Sequence, residues 1–303
     1  MPKTSTISAA AGDGRDGAGE GPGSAARGIV IVLIAWLMLA CMDAGSKLLA
    51  QDYPIVQILW VRFGLLAAVA FGFARRTGGL AGLRTRHLIL QVARAVLLTV
   101  EIGLFIFAIT VLPLANAHAI FAITPLLITA LAVPLLGERV GPRRWAAVAV
   151  AFVGVLVILR PGLGVADPMS LVILICAMMF ALYQILTRLV SRDDPPPVTL
   201  FYTAILGAAG LTIVGPFFWV WPDAIGWALF LLVALLGGAA HFLLIKALQL
   251  APASVLQPFG YTIMLWATLV GFVVFGNLPD GWTIAGGLII AASGVYAFSR
   301  ERR

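Results

Sequence analysis

The chain has 303 residues, of which 61% are hydrophobic and only 11% charged, and its mean hydropathy is +1.04. A water-soluble fold of this length has no way to cover so much apolar surface, so that class is excluded. The net charge of +7 and isoelectric point near 10.0 would suit nucleic acid, but the basic residues sit in turns between apolar runs, which argues against that partner.

Residues 1–26 are rich in Gly, Ala, Ser and Asp and hold no apolar stretch, which predicts a disordered tail. Ten apolar runs follow, near 28–49, 54–74, 87–111, 114–136, 145–160, 168–190, 198–219, 225–248, 253–276 and 282–299. A helix crosses the hydrocarbon core with about 20 apolar residues, so each run reads as a span, the fifth and tenth being short. The first is too long for a signal-peptide core and is expected to be retained. Connections are brief, and the longest, Arg75 to His87, is basic. Trp145, Trp219, Trp221, Trp227 and Trp282 lie at run ends and fit an interfacial aromatic belt. Pro125 and Pro134 interrupt the fourth run, Pro216 the seventh and Gln257-Pro258 the ninth. A proline frees a carbonyl one turn back, which a neighbouring helix or an aqueous cavity must satisfy.

The chain is internally duplicated. Leu112-Pro-Leu-Ala115 aligns with Ala251-Pro-Ala-Ser254 at an offset of about 139 residues, and each is followed by an apolar run, a glycine (Gly137, Gly276) and a second apolar run ending in Gly154-Val or Gly294-Val. Five spans per copy is an odd number, so the second copy must enter from the other side of the bilayer. The expected fold is therefore an all-α membrane protein of ten transmembrane helices in two inverted five-helix repeats, 27–162 and 163–300. Inverted repeats are the build of carriers that alternate access around a midplane site. The interrupted fourth and ninth runs occupy equivalent places, which marks either the translocation path or a pair of packing kinks. With the N-terminus in the cytoplasm, Arg75, Arg84, Arg86, Arg143, Arg144, Arg188 and Arg192 fall on the cytoplasmic side, and Lys47 and Arg160 on the other. That asymmetry follows the positive-inside rule and supports an even number of spans.

Ionisable groups within spans cost about 2.5–3.5 kcal/mol each on insertion scales, so those present are candidates for function. Asp43 and Lys47 stand four apart on one helical face in the order that suits an intrahelical ion pair, as a gate or as a structural pair with Lys47 snorkelling outward. Arg62 lies about 12 Å into the second run at 1.5 Å per residue, too deep for an anchor, with Asp43 as partner. Glu101 sits near the middle of the third run, able to exchange a proton or to bind a substrate, with Arg94 two turns away as a loose partner. His241 also lies at membrane depth, His118 only a turn inside the fourth run, and Lys246 near a run end where it snorkels. Gln257 accompanies the ninth-run break, and Tyr183 and Tyr261 are among several aromatic residues near these groups, suited to a planar ring ligand or to ordinary core. Cys41 and Cys176 fall within apolar runs, and no metal, phosphate-loop or hydrolase motif is present, so neither cofactor, metal nor enzymatic activity is expected.

Leu136-Gly-Glu-Arg-Val-Gly-Pro-Arg-Arg-Trp145, leading to Gly154-Val-Leu-Val-Ile-Leu-Arg-Pro-Gly162, resembles the end of the EamA repeat, and so does Phe275 to Tyr296. The resemblance spans about 27–300 and implies the drug/metabolite transporter superfamily. Asn277 stands where the second repeat often has Glu, as Glu138 does in the first. Met42-Asp-Ala-Gly-Ser-Lys47, Arg62, Arg94 and Ala251 to Tyr261 are most similar to a proteobacterial branch that includes riboflavin and S-adenosylmethionine uptake carriers. The resemblance implies a bacterial inner-membrane carrier with both termini cytoplasmic, moving riboflavin or a similar planar metabolite, with S-adenosylmethionine uptake or amino-acid or drug export as alternatives. Its partners are then the substrate and the lipid bilayer, with a homodimer as a compatible assembly and no nucleic acid.

Overall fold

The computed structural model describes residues 22–76, 83–138, 140–160, 167–251 and 253–299. Its helices are α1 (Pro22–Asp52), α2 (Ile55–Arg76), α3 (Leu88–Val111), α4 (Leu114–Phe121), α5 (Thr124–Leu136), α6 (Pro142–Leu159), α7 (Pro168–Val190), α8 (Pro196–Val214), α9 (Ala224–Leu250), α10 (Ala253–Leu256), α11 (Thr262–Phe275) and α12 (Gly281–Ser299). Among the described residues, nine segments are long and apolar enough to cross a membrane, and Gly281–Ala297 forms a shorter tenth. The fourth crossing is α4 with α5, and the ninth is α10, a 3-10 turn over Gln257–Tyr261, and α11. Helix α1 begins inside the segment expected to be a tail, and residues 1–21 lie outside the described part.

Local chemistry sets where these helices start and stop. Asp167 accepts from the Met169 amide at 2.8 Å and Asp223 from the Gly226 amide at 2.6 Å, so carboxylates satisfy free N–H groups at the starts of α7 and α9. Gly137 and Gly276 close α5 and α11 in the left-handed region, with φ of 71° and 69°. The amides that follow them, of Glu138 and Asn277, each reach back 3.3 Å to a carbonyl six residues earlier. A Cβ disfavours that backbone, which explains the glycines seen at matching places in the duplicated sequence. The two breaks are matched as well. Thr124 and Thr262 each donate 2.6 Å to a carbonyl three residues back, Phe121 and Phe259, where the helix re-forms after the interruption.

The packing repeats this symmetry. Helix α1 lies along α9 as α3 lies along α7, while α2 packs on α8, α6 on α12 and α4 on α11. Helix α1 touches α11 as α7 touches α4 and α5. Exchanging the first five crossings for the second five turns every one of these pairings into another of the set, as two halves related by a two-fold axis require. The ends of the bundle agree with the charge pattern. Thr85 bonds Asp194, and Arg188 pairs with Glu138 at 2.6 Å, so the connections rich in arginine share one end, called here the basic end. Arg160 and Asp280 pair at the other.

Outward faces carry Val69, Ile89, Ile213, Leu235 and Val273, all largely exposed, as expected of lipid-facing surface. Without a hydrophobic drive between helices in lipid, close approach depends on small residues. At the α6–α12 crossing, a Cβ on Gly154 would lie 2.8 Å from the Gly286 carbonyl oxygen, and one on Gly286 would lie 2.5 Å from that of Gly154. Gly286→Leu should therefore push α6 from α12 at a cost of about 1–3 kcal/mol and lower Tm in detergent. Gly64→Ala, which meets nothing within 4 Å, should leave Tm in place, and equal melting of the two variants would contradict this packing account.

Candidate functional site

Asp43, nine-tenths buried on α1, does not pair with Lys47. Its Oδ2 lies 3.0 Å from Nε2 of His118 in the first turns of α4. Lys47 points the other way, donating 2.8 Å to the Leu112 carbonyl and lying 5.0 Å from the centre of the Phe275 ring. The expected intrahelical pair gives way because two inter-helix partners are available: an imidazole for the acid, and a carbonyl left free at the end of α3 for the base. Lys47 is buried rather than snorkelling.

Arg62 of α2 is within electrostatic reach of both Asp43 and Glu101. Glu101 on α3 is buried, and its own backbone carbonyl accepts from the Cys176 thiol of α7 at 3.7 Å. Asp43, Arg62, Glu101 and His118 thus form one cluster drawn from four successive crossings. His241 on α9 stands at its edge, influenced by Arg62, with Nδ1 2.7 Å from the Gly237 carbonyl.

Arg94 belongs elsewhere. Its guanidinium donates to Gln91 Oε1 at 2.6 Å, to Thr187 Oγ1 at 2.9 Å and to the Tyr183 hydroxyl at 3.4 Å, and lies 5.0 Å from the Tyr183 ring centre. Gln91 passes the link on by donating 2.9 Å to Asp194, which also accepts from Thr85. The loose Arg94–Glu101 pair expected from sequence is replaced by a clamp between α3 and α7 at the basic end. A planar fork with several donors finds better partners across that interface than along its own helix.

At the opposite end, where Arg160 pairs with Asp280, amide and aromatic contacts tie the helices together. Gln57 accepts from the Val220 amide at 2.9 Å and donates to the Val220 carbonyl at 2.7 Å, while Tyr53 donates to Asp223 at 3.3 Å. Trp60 donates 3.0 Å to Thr212 and meets Trp219 edge-on. Between the ends runs an aromatic ladder. His118, Phe105, Phe121, Phe180 and Tyr183 follow one another at centroid spacings of 5.4, 5.4, 5.6 and 5.7 Å, and Tyr183 meets Arg94. Phe121 is the last residue of α4, so the break in the fourth crossing lies on this ladder. Tyr261 is placed differently. A Cβ on Gly294 would fall 1.7 Å from its hydroxyl oxygen, so the ring fills the notch that this glycine leaves in α12. The side chain of Gln257 lies outside the described residues. Lys246 is exposed beside Phe242, 5.6 Å from its ring centre. A shallow apolar groove of about 120 Å³ between α3 and α8, lined by Ala95, Thr99, Gly207 and Gly210, is separate from the cluster.

Sequence reasoning undervalued His118 and passed over Gln57 and Gln91, both fully buried. The available signal was a neutral amide in the first turn of an apolar run, where an anchor would normally be charged or aromatic.

Ten apolar crossings that bury acids, an arginine and a histidine between interrupted helices have the build of a multi-pass membrane transporter. The model of the EamA-like transporter family matches residues 26–160 and 168–299, and the chain belongs to that family. The S-adenosylmethionine uptake transporter of Rickettsia prowazekii is 26% identical over 275 residues, covering 89% of this chain and 93% of the relative. The riboflavin transporter of Rhizobium johnstonii is 27% identical over 290 residues, covering 93% and 94%, and that of Vibrio cholerae is 25% identical over 281 residues, covering 91% and 94%. A solved crystal structure that is 21% identical superposes with a TM-score of 0.62 over 93% of this chain and 99% of its own, and so shares the fold.

The clamp at the basic end has a testable pH dependence. Burial alone would raise the Asp194 carboxyl, but hydrogen bonds from Thr85, Gln91 and the Arg86 amide, with the charge of His87, hold it below the usual carboxylate range. A group depressed in the folded state stabilises above its unfolded value, about 3.9 for Asp, and that contribution is lost as pH falls through the folded value. Wild-type protein should therefore melt above Asp194→Asn at neutral pH and converge with it below about pH 4. A gap in Tm that stays constant across that range would contradict the assignment.

Proposed function

We propose that the chain is a secondary transporter of the bacterial inner membrane that takes up a small metabolite by alternating access, with riboflavin or a similar planar vitamin as its substrate. The two halves, 27–162 and 163–300, rock about their shared axis, and both termini face the cytoplasm. Asp43, Arg62, Glu101 and His241 line the pathway, with Arg94, Tyr183 and Lys47 at its two ends. The observation that carries this reading is the aromatic ladder from His118 to Tyr183, with a charged group at each end. These rings meet tilted or edge-on, at 33° to 75°, and an aromatic lining of this kind suits a planar, neutral ligand, with the polar groups at the ends supplying orienting hydrogen bonds. The names of the relatives from Rhizobium johnstonii and Vibrio cholerae support the same substrate. A second reading, S-adenosylmethionine uptake, is favoured by the two buried carboxylates, which would attract a sulfonium, and by the name of the Rickettsia relative.

Expression should rescue growth of a riboflavin auxotroph at limiting vitamin; failure despite normal membrane insertion would favour the second reading, tested by uptake of labelled S-adenosylmethionine. For whichever substrate is moved, Arg62→Ala and Glu101→Gln should each cut initial uptake by at least about tenfold at unchanged membrane abundance. Normal uptake by both variants would remove the cluster from the pathway.

A further inference from the structure

The charge count within the cluster leaves something out. Asp43 and Glu101 are two buried acids, and both act on a single guanidinium, that of Arg62. Lys47 supplies no second cation there, because its ammonium is committed to the Leu112 carbonyl and the Phe275 ring. Arg94 is likewise held by Gln91, Thr187 and Tyr183. From the remaining elements, α4 contributes His118, α7 the neutral Cys176 thiol beside Glu101, and α9 His241. With both acids ionised and the imidazoles neutral, the cluster holds one uncompensated negative charge at membrane depth, where it is costly. One added proton removes it. His118, 3.0 Å from Asp43, is placed to carry that proton as an imidazolium, while Glu101 faces the same guanidinium as Asp43 and so bears on how firmly the cluster holds it.

We propose that Asp43, Arg62, Glu101 and His118 together bind a single proton, and that loading and releasing it drives the conformational cycle of the carrier proposed above. A proton arrives from water on the His118 ring nitrogen and leaves by the same atom, with no other bond made or broken. The Asp43–His118 bond joins α1 to α4, one turn before the break in the fourth crossing. With Asp43 ionised, proton loss turns an imidazolium–carboxylate ion pair into a hydrogen bond from a neutral imidazole, so the attraction between α1 and α4 weakens. Side-chain exposure of 8% and 13% for His118 and Asp43 leaves the pair nearly closed to water in this conformation, as an occluded proton requires.

Two measurements separate this proposal from the substrate assignment. In proteoliposomes loaded with the full-length protein, riboflavin or S-adenosylmethionine uptake is compared with and without an imposed pH gradient. The wild type should respond to the gradient, His87→Asn should respond equally, and His118→Gln should give the same rate with and without it, whatever that rate is. A gradient response retained in His118→Gln overturns the proposal. Without any substrate, the imidazole of His118 can be followed by NMR in detergent, identified by its absence from His118→Gln. Its titration curve should change in Glu101→Gln, and an unchanged curve overturns the coupling between the two groups. If neither compound is transported, the substrate reading fails while the NMR titration still decides the proton site.

Discussion

An ionised side chain inside a bilayer needs a partner, and that constraint organises this molecule more than any other. Hydrophobic packing cannot choose between arrangements of ten apolar helices, because lipid tails solvate leucine as well as a neighbouring helix does. Charged groups do choose. Asp43 must reach His118, Lys47 must reach the end of α3, and Arg62 must lie near both acids. These demands fix the first four crossings against one another. The second half contributes almost no charge at that depth and closes over the cluster with α7 and α9.

The backbone faces a related demand. Breaks in a spanning helix expose carbonyls and amides that lipid cannot satisfy, so each break needs partners within the protein. Here α4 with α5 and α10 with α11 are interrupted at matching places and face each other, and the threonine after each break bonds back to a freed carbonyl. The helices that remain continuous and closely packed, α6 and α12, meet glycine to glycine away from the charged groups.

Much of this was legible in the sequence. The ten runs, the duplicated Gly137 and Gly276 and the interrupted fourth and ninth crossings all reappear in the structure, because each reflects a local rule: apolar length, a left-handed helix end, or proline geometry. Partner choice was legible for Arg62, expected near Asp43 and found there, but not for the other charged groups. Asp43 and Lys47 are adjacent on one helical face, and Arg94 and Glu101 share a helix, so sequence spacing favours pairs within a helix. The three-dimensional contacts give each group a partner on a different helix. Gln57 and Gln91 escaped notice for a simpler reason, since a neutral amide leaves no mark in a charge count.

The two ends of the bundle are held by different chemistry. At the basic end, the tie runs through Arg94, Gln91 and Asp194, and two of its members carry charge. At the other end, Gln57 grips the backbone of Val220 with neutral bonds and Trp60 packs on Trp219. Both kinds of bond strengthen as water is excluded, and the charge-assisted ones are the stronger. Water or a polar ligand entering at the basic end competes directly with the partners of Arg94 and Asp194. The aromatic ladder runs between these two closures, from His118 beside Asp43 to Tyr183 beside Arg94.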